Sequence, residues 1–243
     1  MTISKVIHQT WKDENVPEHF NMLSETWKKN HPDWEYILWT DKMNRDFIRI
    51  NFPDFLEKYD NYPANIQRVD AVRYFILYKM GGMFIDLDYE CLKNVEPLLD
   101  NFCVFGLEPT EHCKIHRKEI IISNAFMAGM AGSDFFKRLC DELYGYKQYA
   151  LNPFDNILES TGPFMLTRVF NECPRKDQIK LLPFNIIYPL TKNEISATLW
   201  AKKMSQEIKL KIEAAYAIHY YWGTWWQANQ QIHNTFSTLK KRL

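Results

Sequence analysis

Asp86-Leu87-Asp88 is the first segment of this 243-residue sequence whose residue types and spacing suggest chemistry. In an extended chain, positions i and i+2 face the same way, so both carboxylates share one side and Leu87 takes the other. Two like charges held together cost free energy unless a cation lies between them. A divalent metal such as Mg²⁺ or Mn²⁺ suits such oxygen donors. A solvated turn can carry the same three residues, so the context has to decide. Asp70 and Arg73 stand at i, i+3 on a predicted helix over 64–80, on one face. Arg73 falls inside the apolar stripe of Ile66, Val69 and Ile76, where a guanidinium needs an anionic partner. The pair is either a buried structural ion pair or part of a ligand cleft. Gly81-Gly82, which ends the helix, brings it close to the Asp-Leu-Asp segment. His219, followed by Trp222, Trp225 and Trp226, is a third group. A lone histidine is more often structural than a ligand, and clustered tryptophans usually pack in cores. Stacking on a sugar, or a lid, is the competing reading.

The elements that must position these residues alternate along the chain. Strands are predicted over 5–9, 34–39, 83–88, 103–107, 121–128, 179–188 and 214–221, from short β-branched and aromatic runs. Helices are predicted over 17–29, where Phe20, Leu23 and Trp27 keep helical spacing, and over 41–51, 53–60, 64–80, 134–145, 155–171 and 203–213. The alternation indicates an α/β sandwich with a mostly parallel sheet, and 83–88 ends in its two carboxylates where such sheets place ligands. The stretch holding His112, Cys113, Lys114, His116, Arg117 and Lys118 reads as a mobile loop rather than as a zinc site.

Composition limits the partners. The chain is 46% apolar and 15% aromatic, enough for a sizeable core, and 25% charged. Thirty basic residues balance thirty acidic ones, so no global field favours nucleic acid and none is expected as a partner. No apolar run approaches the roughly 18 residues of a membrane span. The five cysteines are irregularly spaced and read as free thiols of a reducing compartment. The opening residues have no secretory h-region, so a cytoplasmic protein is expected. Lys240-Lys241-Arg242, together with Trp225 and Trp226, suggests peripheral contact with an anionic membrane at its inner face.

Six segments occur in order: VIHQTW (6–11), QRVDAVRYFILYKMGG (67–82), MFIDLD (83–88), SNAFMAG (123–129), STGP (160–163) and AIHYYWGTW (217–225). Together they resemble family 32 glycosyltransferases, the DXD-containing sugar transferases of the α-mannosyltransferase and bacterial capsular polysaccharide branch. The resemblance implies a GT-A fold as a single domain over 1–243, with 222–243 as a C-terminal lid or tail. It implies retaining transfer of mannose, galactose, glucose or N-acetylhexosamine from a GDP- or UDP-sugar to a glycan or lipid-linked acceptor, in polysaccharide or glycolipid synthesis. On this sequence, Asp88 would bind Mn²⁺ or Mg²⁺ directly, Asp86 would share the metal and contact the donor, and His219 would be a further ligand. Trp11 would stack on the base. Asp70 and Arg73 would hold the donor sugar, with Asn124 and Thr161-Gly162-Pro163 lining its site, and His219 and Trp225 would close over the diphosphate. Phe84 stands where many members have tyrosine, which removes a hydroxyl contact to the donor, and Thr224 replaces the usual serine. Two other classes remain. A sugar nucleotidyltransferase needs a glycine-rich phosphate loop after the first strand, and HQTWKDENVPEHF has no glycine. A non-catalytic carbohydrate-binding relative would have lost the metal carboxylates, and both are present.

Overall fold

A computed structural model describes residues 2–145, 150–201 and 204–223. The first half of the chain supplies β1 (Val6–Thr10), α1 (Glu18–Asn30), β2 (Glu35–Trp39), α2 (Asp41–Asn51), α3 (Leu56–Asp60), α4 (Asn65–Met80), β3 (Gly82–Ile85) and β4 (Tyr89–Cys91). The second supplies β5 (Cys103–Leu107), α5 (Thr110–Ile115), β6 (Ile122–Gly129), α6 (Asp134–Tyr144), α7 (Pro153–Ser160), α8 (Pro163–Glu172), β7 (Ile179–Leu182), α9 (Phe184–Ile187), α10 (Lys192–Ala201), α11 (Gln206–Ala214) and β8 (Ala217–His219). Six strands form one sheet in the order β2-β1-β3-β6-β5-β7, and β4 and β8 form a second, two-stranded sheet. All strands of the large sheet run one way except β6, which is antiparallel to both neighbours. The expected mostly parallel α/β sheet is therefore present. Its antiparallel strand has a consequence for function: the start of β6 lies at the same edge as the ends of β1, β3 and β5.

One face of the sheet packs on α4, α6 and α8 through Phe75, Phe84, Phe105 and Phe136. The other packs on α1, β4 and α9 through Ile7, Trp27, Tyr89 and Phe126. Helix α4 is apolar on most sides and is buried continuously from Asp70 to Leu77. Its exit to β3 is a two-glycine turn. Both glycines have positive φ, and a Cβ on Gly82 would stand 2.5 Å from the Val6 carbonyl, so only glycine lets the helix end lie against β1.

Several predicted elements are shorter than their patterns. The 83–88 strand leaves the sheet after the pair Ile85–Phe126, with one last bond from the Asp86 N–H to the Ala125 carbonyl. Both aspartates therefore lie on the turn beyond the strand. The 179–188 strand stops at Leu182 because Pro183 has no N–H to donate, and α9 follows. The 214–221 strand shrinks to β8, paired with β4 outside the main sheet. The 155–171 helix divides at Thr161-Gly162 into α7 and α8, with Pro163 opening α8. The stretch read as a mobile loop contains α5.

Candidate active site

A cleft of about 1550 Å³ opens where the ends of β1, β3 and β5 meet the start of β6. Trp11, Asp86 and Glu108 follow those three strands, and Ser123 and Asn124 begin the fourth; all five line the cleft. Ile66 and Val69, the N-terminal part of the α4 stripe, also line it, so the stripe runs from the cleft wall into the core.

Arg73 lies where that stripe becomes the cleft floor and is 2% exposed. Its guanidinium contacts Asp86 Oδ1 at 3.0 Å and Asp70 Oδ1 at 3.4 Å, and donates to the Asn124 carbonyl at 2.7 Å. It also lies 5.0 Å from the centre of the Phe84 ring. Phe84 itself is fully buried, and its ring is a seat for Arg73. The two readings of the Asp70–Arg73 pair are thus combined, since the pair is buried and its second carboxylate partner faces the cleft.

Asp70 accepts from Asn124 Nδ2 at 2.9 Å and from Thr161 Oγ1 at 3.3 Å. Burial pushes its pKa up to about 7, against the pull of Arg73. Thr161 is fully buried and reaches Asp70 from behind, so it supports that carboxylate; Pro163 is the member of the turn that lines the cleft.

Asp86 keeps a side chain 31% exposed to the cleft. Loss of water raises its pKa; Arg73 opposes the rise and Asp88 adds to it. Asp88 is held at both oxygens, Oδ1 at 3.1 Å from His219 Nε2 and Oδ2 accepting the Trp222 N–H at 2.8 Å. Burial alone would raise its pKa, but the His219 charge and these bonds outweigh it and hold it low. His219 is desolvated too, and the Asp88 carboxylate overrides this to raise its pKa. One ligand atom from each of Asp86, Asp88 and His219 can be chosen so that all lie within 4.8 Å of one another. Two carboxylates and an imidazole are a donor set that fits a Mn²⁺- or Mg²⁺-type cation. His219 Nδ1 is buried with no hydrogen-bond partner among the described residues, so the ring is not committed to a structural network on both sides.

Trp11 is half-buried in the cleft wall, with its ring 5.1 Å from Phe20. Trp222 is 5% exposed and packs against Tyr220 and Phe20, so it is core rather than a free stacking platform; its backbone is what serves Asp88. Trp225, Trp226 and Lys240-Lys241-Arg242 lie outside the described residues. Glu108, Ser123 and the Trp222 N–H were not selected from the sequence. Glu108 had a signal, a carboxylate just past a strand end, equivalent to that of Asp86.

Residues 17–105 match the family described as glycosyltransferase sugar-binding region containing DXD motif. The chain is 39% identical over 173 residues to mannosyl phosphorylinositol ceramide synthase of Saccharomyces cerevisiae, covering 71% of this chain and 43% of that protein. It is 39% identical over 173 residues to inositol phosphoceramide mannosyltransferase 3 of Schizosaccharomyces pombe, covering 70% and 45%. The chain thus spans less than half the length of these curated relatives. Among solved structures, the apo glycosyltransferase GlyE of Streptococcus pneumoniae superposes with a TM-score of 0.50 at 12% identity, covering 99% of this chain and 63% of the other, a likeness of fold alone. No helix among the described residues is long and apolar enough to cross a membrane. With a GT-A sheet, a DXD turn at its edge and these relatives, the chain belongs to the DXD-containing glycosyltransferases.

Proposed function

We propose that this chain is a metal-dependent, retaining hexosyltransferase that moves a sugar, mannose in the first instance, from a GDP- or UDP-sugar to a glycan or lipid-linked acceptor. One observation carries the reading: Asp86, Asp88 and His219 converge at the cleft floor beside a buried Arg73–Asp70 pair. The choice of mannose and of an inositol-phospholipid acceptor rests on the names of the two yeast relatives.

A Mn²⁺ or Mg²⁺ ion held by Asp88, Asp86 and His219 would supply Lewis-acid stabilisation of the charge on a departing diphosphate. The chain's own residues set up the rest. Arg73, fixed by three partners, holds Asp86 at the cleft floor and adds positive potential beneath it. Asp70, oriented by Asn124 and Thr161, offers a carboxylate for the donor's hydroxyls. Trp11 supplies a flat apolar face for the base. The buried floor excludes water from the sugar's anomeric carbon, and the nearby carboxylates tolerate the positive charge that grows there. Retention follows by front-face substitution, in which a phosphate oxygen of the leaving group takes the acceptor hydroxyl's proton. A cytoplasmic location, peripheral at a membrane, belongs to the same proposal.

A panel of GDP- and UDP-sugars incubated with the chain and Mn²⁺ tests it. Release of nucleoside diphosphate from a sugar donor, abolished by chelator, is the expected result. Binding of a sugar nucleotide without any release under all metals would leave a non-catalytic carbohydrate-binding relative as the better account.

A further inference from the structure

The donor-side residues leave one buried carboxylate of the cleft without a role. Glu108 follows β5, is 14% exposed at its side chain, and is tied at its backbone by a bond to the Ile121 carbonyl. Its Oε2 lies 2.6 Å from His112 Nδ1 on α5. The other ring nitrogen, Nε2, lies 3.3 Å from the Lys192 backbone N–H. An amide N–H can only donate, so Nε2 carries no hydrogen and Nδ1–H donates to Glu108. The imidazole thus has both nitrogens engaged and aims the carboxylate, which Ser123 also meets and whose further lone pairs remain for another donor. Burial would raise the Glu108 pKa, but His112, with His219 and Ser123 adding to it, outweighs the burial and holds the pKa low.

Tyr221 completes the cluster. Its ring meets the His112 ring edge-on at 5.0 Å and lies 4.3 Å from the His219 ring, which links this corner to the DXD corner. Its hydroxyl is buried with no hydrogen-bond partner among the described residues, and the residue lines the cleft. A buried phenol without a partner is costly, which points to a ligand group that satisfies it. Ile115, Ile121, Phe154 and Phe164 line the cleft nearby, giving apolar surface for the C–H face of a ring.

We propose that Glu108, positioned by His112 and joined by Tyr221, forms an acceptor subsite that binds the hydroxyls of a neutral cyclic polyol, a sugar or inositol ring. This rests on the transfer reading above. A carboxylate there accepts from hydroxyls and repels a phosphate, so a phospholipid acceptor would present its ring to Glu108 and its phosphate elsewhere. A site built to bind hydroxyls also rejects a ring that lacks them, because its buried polar groups are then left unpaired.

Saturation-transfer NMR on the full chain, with myo-inositol and methyl α-mannoside as probes, with and without Mn²⁺ and nucleoside diphosphate, tests the subsite. At least one polyol should bind the wild type. Glu108→Gln should weaken it about tenfold, the difference between a charged and a neutral acceptor. His112→Phe, which keeps the ring against Tyr221 but frees Glu108, should weaken it similarly, whereas His112→Asn restores an N–H near Nδ1 and should recover it. Nucleoside diphosphate affinity should stay at the wild-type value in all three variants. Failure of both polyols to bind the wild type, or wild-type polyol binding by Glu108→Gln, would overturn the subsite. Loss of nucleotide binding by the wild type would instead overturn the transfer reading, and the nucleotide-free polyol titration still reads the subsite.

Discussion

Arg73 and Phe75 are two residues apart on α4 and sit in opposite environments. Phe75 packs its ring 4.6 Å from the rings of Phe52 and Phe55, in a cluster whose attraction is non-directional and grows with the area buried. Arg73 is equally buried, yet its stability depends on two carboxylates and one carbonyl, from α4, the DXD turn and β6. The aromatic face tolerates any packing that fills the space. The charged face tolerates only one arrangement, because an unpaired charge there costs far more than a small void. One helix therefore carries the core on one side and a rigid polar floor on the other, and the core holds the floor in register.

Changes at the floor should be separable from changes in the core. The largest effect is expected at Asp88. Asp88→Asn keeps the shape and an acceptor for the Trp222 N–H but removes the charge. Donor turnover should fall about a thousandfold or more, while the melting temperature stays near that of the wild type. Chelator should bring the wild type down to the same level. Wild-type turnover by this variant in chelator would remove the metal from the mechanism.

Next come the two α4 neighbours. Arg73→Ala strands Asp70 and Asp86 and should cost about 3–5 kcal/mol, and Phe75→Ala about the same through its cavity. The causes differ, and a double-mutant cycle separates them. Adding Asp70→Asn should recover part of the Arg73→Ala loss by removing a stranded charge, and should leave the Phe75→Ala loss unchanged. Urea unfolding of the six proteins, wild type, the three single variants and the two double variants, gives the answer. Equal response of both backgrounds to Asp70→Asn would mean that the two faces are not energetically distinct.

This division also explains what the sequence made legible. Periodicity and aromatic content located α1, α2, α4, α6 and most strands, because burial follows residue type. The Asp-Leu-Asp and Asp70–Arg73 spacings pointed to the floor because a charge in an apolar stripe demands partners. What stayed hidden depends on distant segments meeting. The Trp222 N–H reaches Asp88 from 134 residues away, a contact made by backbone that no side-chain pattern encodes. Thr161 reaches Asp70 only because Gly162-Pro163 breaks a helix that hydropathy alone would continue. Glu108 and His112 were legible as residue types but not as a pair, since α5 looked like a polar loop.

A smaller effect is expected on the cleft wall. Trp11 shares its apolar contacts with Phe20 yet lines the cleft, so it tests whether an aromatic at the boundary behaves as core or as platform. As a base platform, Trp11→Ala should weaken nucleoside, nucleoside diphosphate and intact donor alike. Stacking is worth about 1–3 kcal/mol, or roughly ten- to a hundredfold in affinity. Calorimetric titration with all three ligands reads it. Unchanged affinity with a lowered melting temperature would assign Trp11 to the core.

The smallest effect comes from a polar residue on the core side. His8 is fully buried on β1, where Trp39 Nε1 lies 3.1 Å from Nδ1 and the Gly81 carbonyl 2.9 Å from Nε2. The indole N–H can only donate, so Nδ1 must accept and Nε2–H donates to Gly81, at the turn that delivers β3 to the cleft. Protonation would turn Nδ1 into a second donor facing the indole N–H. Burial accordingly lowers the pKa to about 4, from an ordinary value of 6.5. The folded value is depressed, so the native state binds fewer protons than the unfolded chain. This stability is present above pH 6.5 and is lost as pH falls toward 4. Between about pH 7 and about pH 5.5 the loss should be roughly 1 kcal/mol. His8→Gln should be less stable at neutral pH and lack this part of the pH slope. Urea unfolding of both proteins at the two pH values isolates the histidine from the other titrating groups. If the stability gap between wild type and variant does not narrow by that amount in acid, His8 does not behave as the neutral bracket its two hydrogen bonds require.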